Sequence, residues 1–332
     1  MMSACLVNSC HPIDMYFSSH CLYDDLLKWY AVHQRSFPWR TTPVNPYFIV
    51  VSEFMLQQTT TQVVVGYFER FIRKYPTIQD LAKADLNDVM VLWQGLGYYS
   101  RAERLHRIAI NCADIGIPKT FDELIQIKGI GPYMAGAISS MAYGQSMISL
   151  DGNLKRILSR VMREDTQNLK PFAMTTKKPG LINQALMDIG STICKPNAPQ
   201  CDQCPLSHRC KSHIKNLTQD FPIKRIKPKR ENRFCRMFVV VQDQHVYVQK
   251  RQKGIWANLY TLPLSEFQNQ PDSFDIIHDF THFRLHVQLV QTDINQIKFC
   301  NLQDQTLLKA IPLNQLHVYP LSRLTQKIIN ML

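Results

Sequence analysis

Four cysteines crowded into one short stretch constrain this chain more than any other feature. Cys194, Cys201, Cys204 and Cys210 fall in CKPNAPQCDQCPLSHRC, with gaps of six, two and five residues. The other six, Cys5, Cys10, Cys21, Cys112, Cys235 and Cys300, are scattered. The opening MMSACLVNSCHPIDMYFSSH lacks a basic stretch followed by an apolar one. No secretory signal is therefore expected, and the compartment is expected to be reducing. Clustered cysteines then point to a metal site over disulfides. Four thiolates suit either zinc or a [4Fe–4S] cluster, and the spacing alone does not choose between them. Pro196, Pro199 and Pro205 stiffen the loop and lower its entropy before a metal binds.

The cysteine loop also separates two kinds of pattern. Residues 24–217 read as helix after helix, for example DDLLKWYAVHQR (24–35), FIVVSEFMLQQTTTQVVVGYFERFIRKY (48–75), SRAERLHRIAINCADI (100–115) and DGNLKRILSRVM (151–162). Apolar positions recur there at three- and four-residue intervals, and Pro or Gly makes the breaks. Thr120 with Glu123 forms a capping-box pattern. Residues 221–236 hold seven basic residues and one acidic residue, which reads as a solvated linker or a phosphate-tracking one. Beyond it, MFVVV (237–241), HVYVQKR (245–251) and LHVQLVQ (285–291) alternate like strands. The expected organisation is an N-terminal extension (1–20), an all-α domain (21–217) with the cysteine loop (194–210), a linker (218–235) and an α/β domain (236–332).

With 332 residues, 45% of them hydrophobic, the chain can build two cores, so a disordered chain is excluded. No apolar run approaches the ~20 residues that cross a bilayer. Lys and Arg number 38 against 26 Asp and Glu, a net charge of +12. That excess fits a polyanion, nucleic acid ahead of a membrane surface.

Three local patterns carry chemistry. In FDELIQIKGIGPYMAGAISSMAYG (121–144), two helices flank a tight connection. Gly129 and Gly131 permit positive φ and close backbone approach, and Pro132 suits a first helical turn. The outward N–H groups can bind a phosphate, or the GxG can be only a turn. Glu53 has Ile49, Val50 and Leu56 as helical neighbours, so its carboxyl should lose hydration and rise in pKa toward a general acid, unless a cation pairs with it. Asp151 opens DGNLKRILSR and reads as an N-cap whose helix start keeps it ionised. A neutral acid and an anion form the pairing that breaks a glycosidic bond through an oxocarbenium-like state.

SEFMLQQT (52–59), KGIGPYMAG (128–136), LDGN (150–153) and Cys-x6-Cys-x2-Cys-x5-Cys, in that order, resemble the helix–hairpin–helix DNA glycosylases that carry a [4Fe–4S] cluster. The closest resemblance is to the adenine DNA glycosylases of the MutY family, over about residues 22–290. The resemblance implies a mostly α glycosylase domain followed by a smaller α/β Nudix-like domain. It implies one [4Fe–4S] cluster on Cys194, Cys201, Cys204 and Cys210. Glu53 would protonate adenine, Asp151 would stabilise the sugar cation or form a transient adduct, and Tyr133 and Asn153 would position that chemistry. Gln57 and Gln58 would enter the duplex near the lesion, with Tyr98 as a wedge. Trp39, Arg40, Leu56 and Gln184 would line the pocket for the flipped adenine, flipping being required because the bond is inaccessible in the stack. Gly129 and Gly131 would approach the DNA backbone.

The bifunctional relatives, such as endonuclease III, carry Lys where this chain has Tyr133, and a Schiff base needs an amine. Simple hydrolysis leaving an abasic site is therefore expected. GIWANLYTLP (254–263) and DFTHFRLHV (279–287) resemble the family's C-terminal segments, and Phe280, Thr281 and His282 would form the loop that reads 8-oxoguanine. The Glu-rich REXXEE signature of Nudix hydrolases is missing there, so recognition and not nucleotide cleavage is implied. The expected partner is double-stranded DNA with adenine opposite 8-oxoguanine or guanine, bound by a monomer with no membrane role. Its place would be the nucleoid in a bacterium, or the nucleus or mitochondrion in a eukaryote.

Overall fold

The computed structural model describes residues 20–166, 168–223, 229–267, 273–299 and 308–331. Residues 1–19 of the expected extension and 224–228 of the expected linker lie outside them. Contacts divide the chain into two units: one reaches Ile72 and resumes over Ile108–Arg225, and the other joins Arg73–Arg107 to the residues from Ile226 onward. The 73–107 segment thus belongs with the C-terminal residues. Lys250 Nζ donates to Asn87 Oδ1 at 2.7 Å, and Asn258 Nδ2 donates to Glu103 Oε2 at 3.2 Å.

The first unit is helical. Its elements are α1 (His20–His33), α2 (Pro46–Leu56), most of α3 (Thr61–Lys74), and, after α4 (Ile78–Lys83) and α5 (Leu86–Leu92) of the other unit, the end of α6 (Ser100–Cys112). There follow α7 (Phe121–Leu124), α8 (Pro132–Tyr143), α9 (Gly152–Met162), α10 (Pro179–Thr192) and α11 (Lys211–Ile214). The run 48–75 is not one helix. Gln58 takes a left-handed φ of 59°, and the threonines after it are weak helix formers, so α2 stops and α3 starts afresh. One core joins Leu22 and Leu26 of α1, Leu154, Ile157 and Leu158 of α9, and Ile182, Leu186 and Ile189 of α10.

Close approach sets the geometry around the hairpin. Thr120 and Glu123 form the expected capping box on α7, a single four-residue turn. Gly129 has φ 110°, a conformation other residues rarely adopt. Gly131 does not: as N-cap of α8 it is extended, φ −92°, and a Cβ would meet nothing within 4 Å. The positive φ that Gly131 permits is not used, because the turn is already made at Gly129. A Cβ on Gly136 would sit 3.1 Å from the Ile148 carbonyl, so α8 lies close against the segment leading to Asp151.

The second unit holds two sheets. One has the order β5 (Leu264–Phe267), β1 (Glu231–Val239), β7 (Phe283–Gln291), β6 (Ile276–Asp279). The other joins β2 (Val241–Gln242), β3 (His245–Lys250) and β4 (Tyr260–Thr261), with β8 (Lys309–Pro312) beside β3. β1 starts inside the stretch expected as linker, because Glu231 already pairs in parallel with Phe283. Cys235, Met237, Leu264, Leu285 and Val287 bury one face against Leu324 and Ile328 of α12 (Arg323–Ile329).

Candidate active site, cysteine loop and the turn between two strands

Glu53 lies on the buried face of α2 and is 5% exposed. Tyr133, in the first turn of α8, donates its hydroxyl to Glu53 Oε2 at 2.5 Å. Burial raises the Glu53 carboxyl to about 7, against the Tyr133 hydrogen bond and the Arg40 charge, with the Asp151 charge adding to the rise. The Tyr133 phenol is driven well above its usual range by burial and by both carboxylates. Glu53, Tyr133 and Asp151 therefore feel one another's charge inside one low-dielectric site.

Asp151 caps α9. Its Oδ1 accepts the Leu154 N–H at 2.7 Å, and its Oδ2 accepts Asn153 Nδ2 at 3.0 Å. A helix start alone would lower its pKa; burial outweighs that and moves it upward, restrained by the Leu154 and Asn153 donors and the Arg156 charge. Glu53 has one such donor, so the two carboxyls differ through their donors.

Beside Glu53 opens a pocket with about 430 Å³ of empty space, walled by Trp39, Arg40, Leu56, Gln184 and Met187. Trp39 stacks on Phe37 with centroids 4.7 Å apart. The Gln184 Oε1 accepts the Tyr30 hydroxyl at 2.7 Å. Gln57 caps the end of α2, half-buried, and Gln58 is exposed.

Sequence reasoning missed the supports. Asp188 of α10, fully buried, accepts Arg40 Nη1 and Nη2 at 2.8 and 3.0 Å and Arg35 Nε at 3.1 Å. An acid inside the apolar LINQALMDIG was the available signal. Arg40 is thereby fastened to Asp188 as well as lining the pocket. Asn183, also fully buried, accepts the Ser149 N–H at 2.9 Å and donates to the Met147 carbonyl at 2.8 Å, which aims the approach to Asp151. Arg156 donates to Asn153 Oδ1 at 2.9 Å, to the Gly190 carbonyl at 2.7 Å and to the Cys194 carbonyl at 2.8 Å.

Cys194, Cys201, Cys204 and Cys210 line one recess with Arg160, Ile193 and Leu206. Arg160 Nη1 donates to Cys194 Sγ at 3.4 Å. Burial pushes the Cys204 thiol up to about 12, so its ionisation needs strong positive charge. Among the described residues no three His, Cys, Asp or Glu side chains stand close enough to share one metal ion. Four thiols lining one recess, beside a guanidinium that can offset anionic sulfur, are a donor set that fits a four-iron cluster.

In the second unit, Tyr98 is 46% exposed with φ 48°, and its hydroxyl lies 2.5 Å from Thr281 Oγ1. Phe280 and Thr281 line the same recess as Tyr98. Thr281 and His282 are exposed at the tip of the turn between β6 and β7.

Residues 51–178 match the model of the HhH-GPD superfamily of base excision DNA repair proteins, and residues 236–331 match a NUDIX domain. The adenine DNA glycosylase of Buchnera aphidicola subsp. Baizongia pistaciae is 31% identical over 321 residues, covering 86% of this chain and 90% of that one. The Homo sapiens adenine DNA glycosylase is 39% identical over 209 residues, covering 56% of this chain and 38% of that one. A solved thermostable thymine-DNA glycosylase superposes with TM-score 0.52 at 25% identity, covering 60% of this chain and 99% of the other. No helix among the described residues is long and apolar enough to cross a membrane. Helical fold, buried acid beside a pocket and near full-length likeness converge: the chain belongs to the adenine DNA glycosylase family, base excision repair enzymes that bind duplex DNA and hydrolyse N-glycosyl bonds.

Proposed function

We propose that the enzyme removes adenine mispaired with 8-oxoguanine or guanine, leaves an abasic site and does not cut the strand. The observation that carries this is the Tyr133 hydroxyl on Glu53, with Asp151 close enough to raise the pKa of both. Adenine flips into the pocket of Trp39, Arg40, Leu56 and Gln184. The Glu53 carboxyl, half protonated near pH 7, gives its proton to the ring. The C1′–N9 electron pair leaves with the base, and the Asp151 carboxylate, steadied by Asn153, stabilises the sugar cation or bonds to it transiently. Water then adds to C1′, and its proton passes to the Glu53 carboxylate. Tyr133 holds Glu53 and offers no amine.

Gln57, Gln58 and Tyr98 enter the duplex, Gly129 and Gly131 let the hairpin backbone meet a phosphate, and Phe280, Thr281 and His282 read the lesion. Cys194, Cys201, Cys204 and Cys210 hold one [4Fe–4S] cluster, whose chemistry here is to tie the loop shut. The same reading assigns glycosylase work to residues 21–217 and lesion reading to 236–332. It places the enzyme with chromosomal DNA, as a monomer.

The test uses duplexes with adenine opposite 8-oxoguanine, guanine, cytosine or thymine, with and without alkali. Base loss opposite 8-oxoguanine and guanine, with nicking only after alkali, is expected. Equal excision opposite all four bases, or borohydride trapping of a covalent complex, overturns the proposal.

A further inference from the structure

The loop read above as the lesion reader, residues 280–282, is built on an aromatic stack. Phe280 and Phe283 lie face to face, centroids 4.4 Å apart and planes 20° from parallel. Arg233 covers the far side of Phe283 at 4.3 Å. Trp256 meets Phe280 at 5.5 Å, and His278 meets it edge-on at 4.8 Å. The turn is closed beneath the stack: the Phe280 N–H donates to the Phe283 carbonyl at 2.9 Å, and Arg284 Nε donates to Asp279 Oδ1 at 2.7 Å. Trp256 itself has φ 63°. A bulky residue in that region is strained and persists only where its surroundings demand it.

These contacts separate the three loop residues. Phe280 is packed, and Thr281 is engaged with Tyr98, whereas no hydrogen bond or ring contact to a described residue involves His282. We infer that Trp256 is a positioning residue for lesion recognition: by bracing the Phe280 ring it sets where His282 is presented. Nothing in this requires Trp256 to touch DNA. The inference rests on the reading of 280–282 as the lesion-reading loop.

The test compares kcat/KM for adenine opposite 8-oxoguanine with that for adenine opposite guanine in the full chain. The ratio is measured for Trp256→Leu, Trp256→Phe, His282→Ala and the Trp256→Leu/His282→Ala double variant. Trp256→Leu should lower the ratio roughly tenfold, as one lost recognition contact does. Trp256→Phe should restore most of it, and the double variant should be no worse than His282→Ala alone, since both act through one side chain. A normal ratio in Trp256→Leu beside a lowered one in His282→Ala overturns the inference and leaves the loop reading intact. Fully additive losses also overturn it. Normal ratios in both variants overturn the loop reading itself. Should Trp256→Leu lack a cooperative melt, Trp256→Met, which also removes the ring that braces Phe280, carries the same expectations.

Discussion

Glu53 is buried and yet ionisable. Its folded pKa of about 7 stands above its unfolded value of 4.5, so the folded state holds the extra proton between them. Stability is therefore greatest at the acidic side of that window and falls as pH rises through about 7. Glu53→Gln should remove this fall, melting like the parent near pH 5 and exceeding it by about 1–3 kcal/mol at pH 8. The same variant should keep mismatch affinity and lose base release. Parallel melting curves across the pH range would refute the raised pKa, and robust turnover would refute the acid role. Asp188 acts on Glu53 at one remove. Asp188→Ala leaves Arg35 and Arg40 without their buried counter-charge, which should cost about 3 kcal/mol. The freed Arg40 charge, which already lowers the Glu53 pKa, should pull the alkaline limb of the kcat profile to lower pH. A limb that stays in place or moves upward contradicts that coupling.

At the scale of elements, the hairpin turns on one glycine and not two. Gly129→Ala should destabilise by about 1–3 kcal/mol, because its φ of 110° strains any side chain. Gly131→Ala should melt within about 0.5 kcal/mol of the parent and bind DNA more weakly, since only the approach to a phosphate is blocked. If the two melt alike, the assignment of the turn to Gly129 fails. Helix packing near the site is equally tight: a Cβ on Gly190 would lie 2.6 Å from the Asn153 Cβ, so Gly190→Ala should push Asn153 away from Asp151. The proposed cluster on the cysteine loop predicts iron and sulfide in equal amounts, about four of each per chain. Cys204→Ser should lose both and lower thermal stability. Purified protein with stoichiometric zinc instead would contradict the cluster.

Across the whole molecule, the net charge of +12 should make duplex binding fall steeply with salt, with a log–log slope of about −0.9 per phosphate contacted. A flat dependence on salt contradicts a backbone-dominated encounter. Much of the plan was legible in the residues. Helical periodicity, the Thr120 and Asp151 caps and the strands from 237 onward are local patterns, and local backbone preferences express them directly. The polar QQTTTQ (57–62) was the available signal for the break at Gln58, but the left-handed backbone that makes it falls on a glutamine and not on a glycine, so residue type does not mark the point. The pairing of residues 73–107 with the C-terminal chain was not legible, because it depends on side chains distant in sequence meeting, as Tyr98 meets Thr281.

What the sequence determined by itself was an inventory: two carboxylates at helix positions, four thiols in a loop, a glycine turn before a helix, and a surplus of positive charge. These follow from residue type and short spacing, which need no knowledge of what lies across the core. The tertiary structure alone decided the states of those groups. Burial sets the Glu53 proton and outweighs the local cap at Asp151, Asp188 fastens Arg40, and Trp256 packs on Phe280. A pKa or a ring position is set by desolvation and by partners tens of residues away, so it exists only once the chain has closed around it.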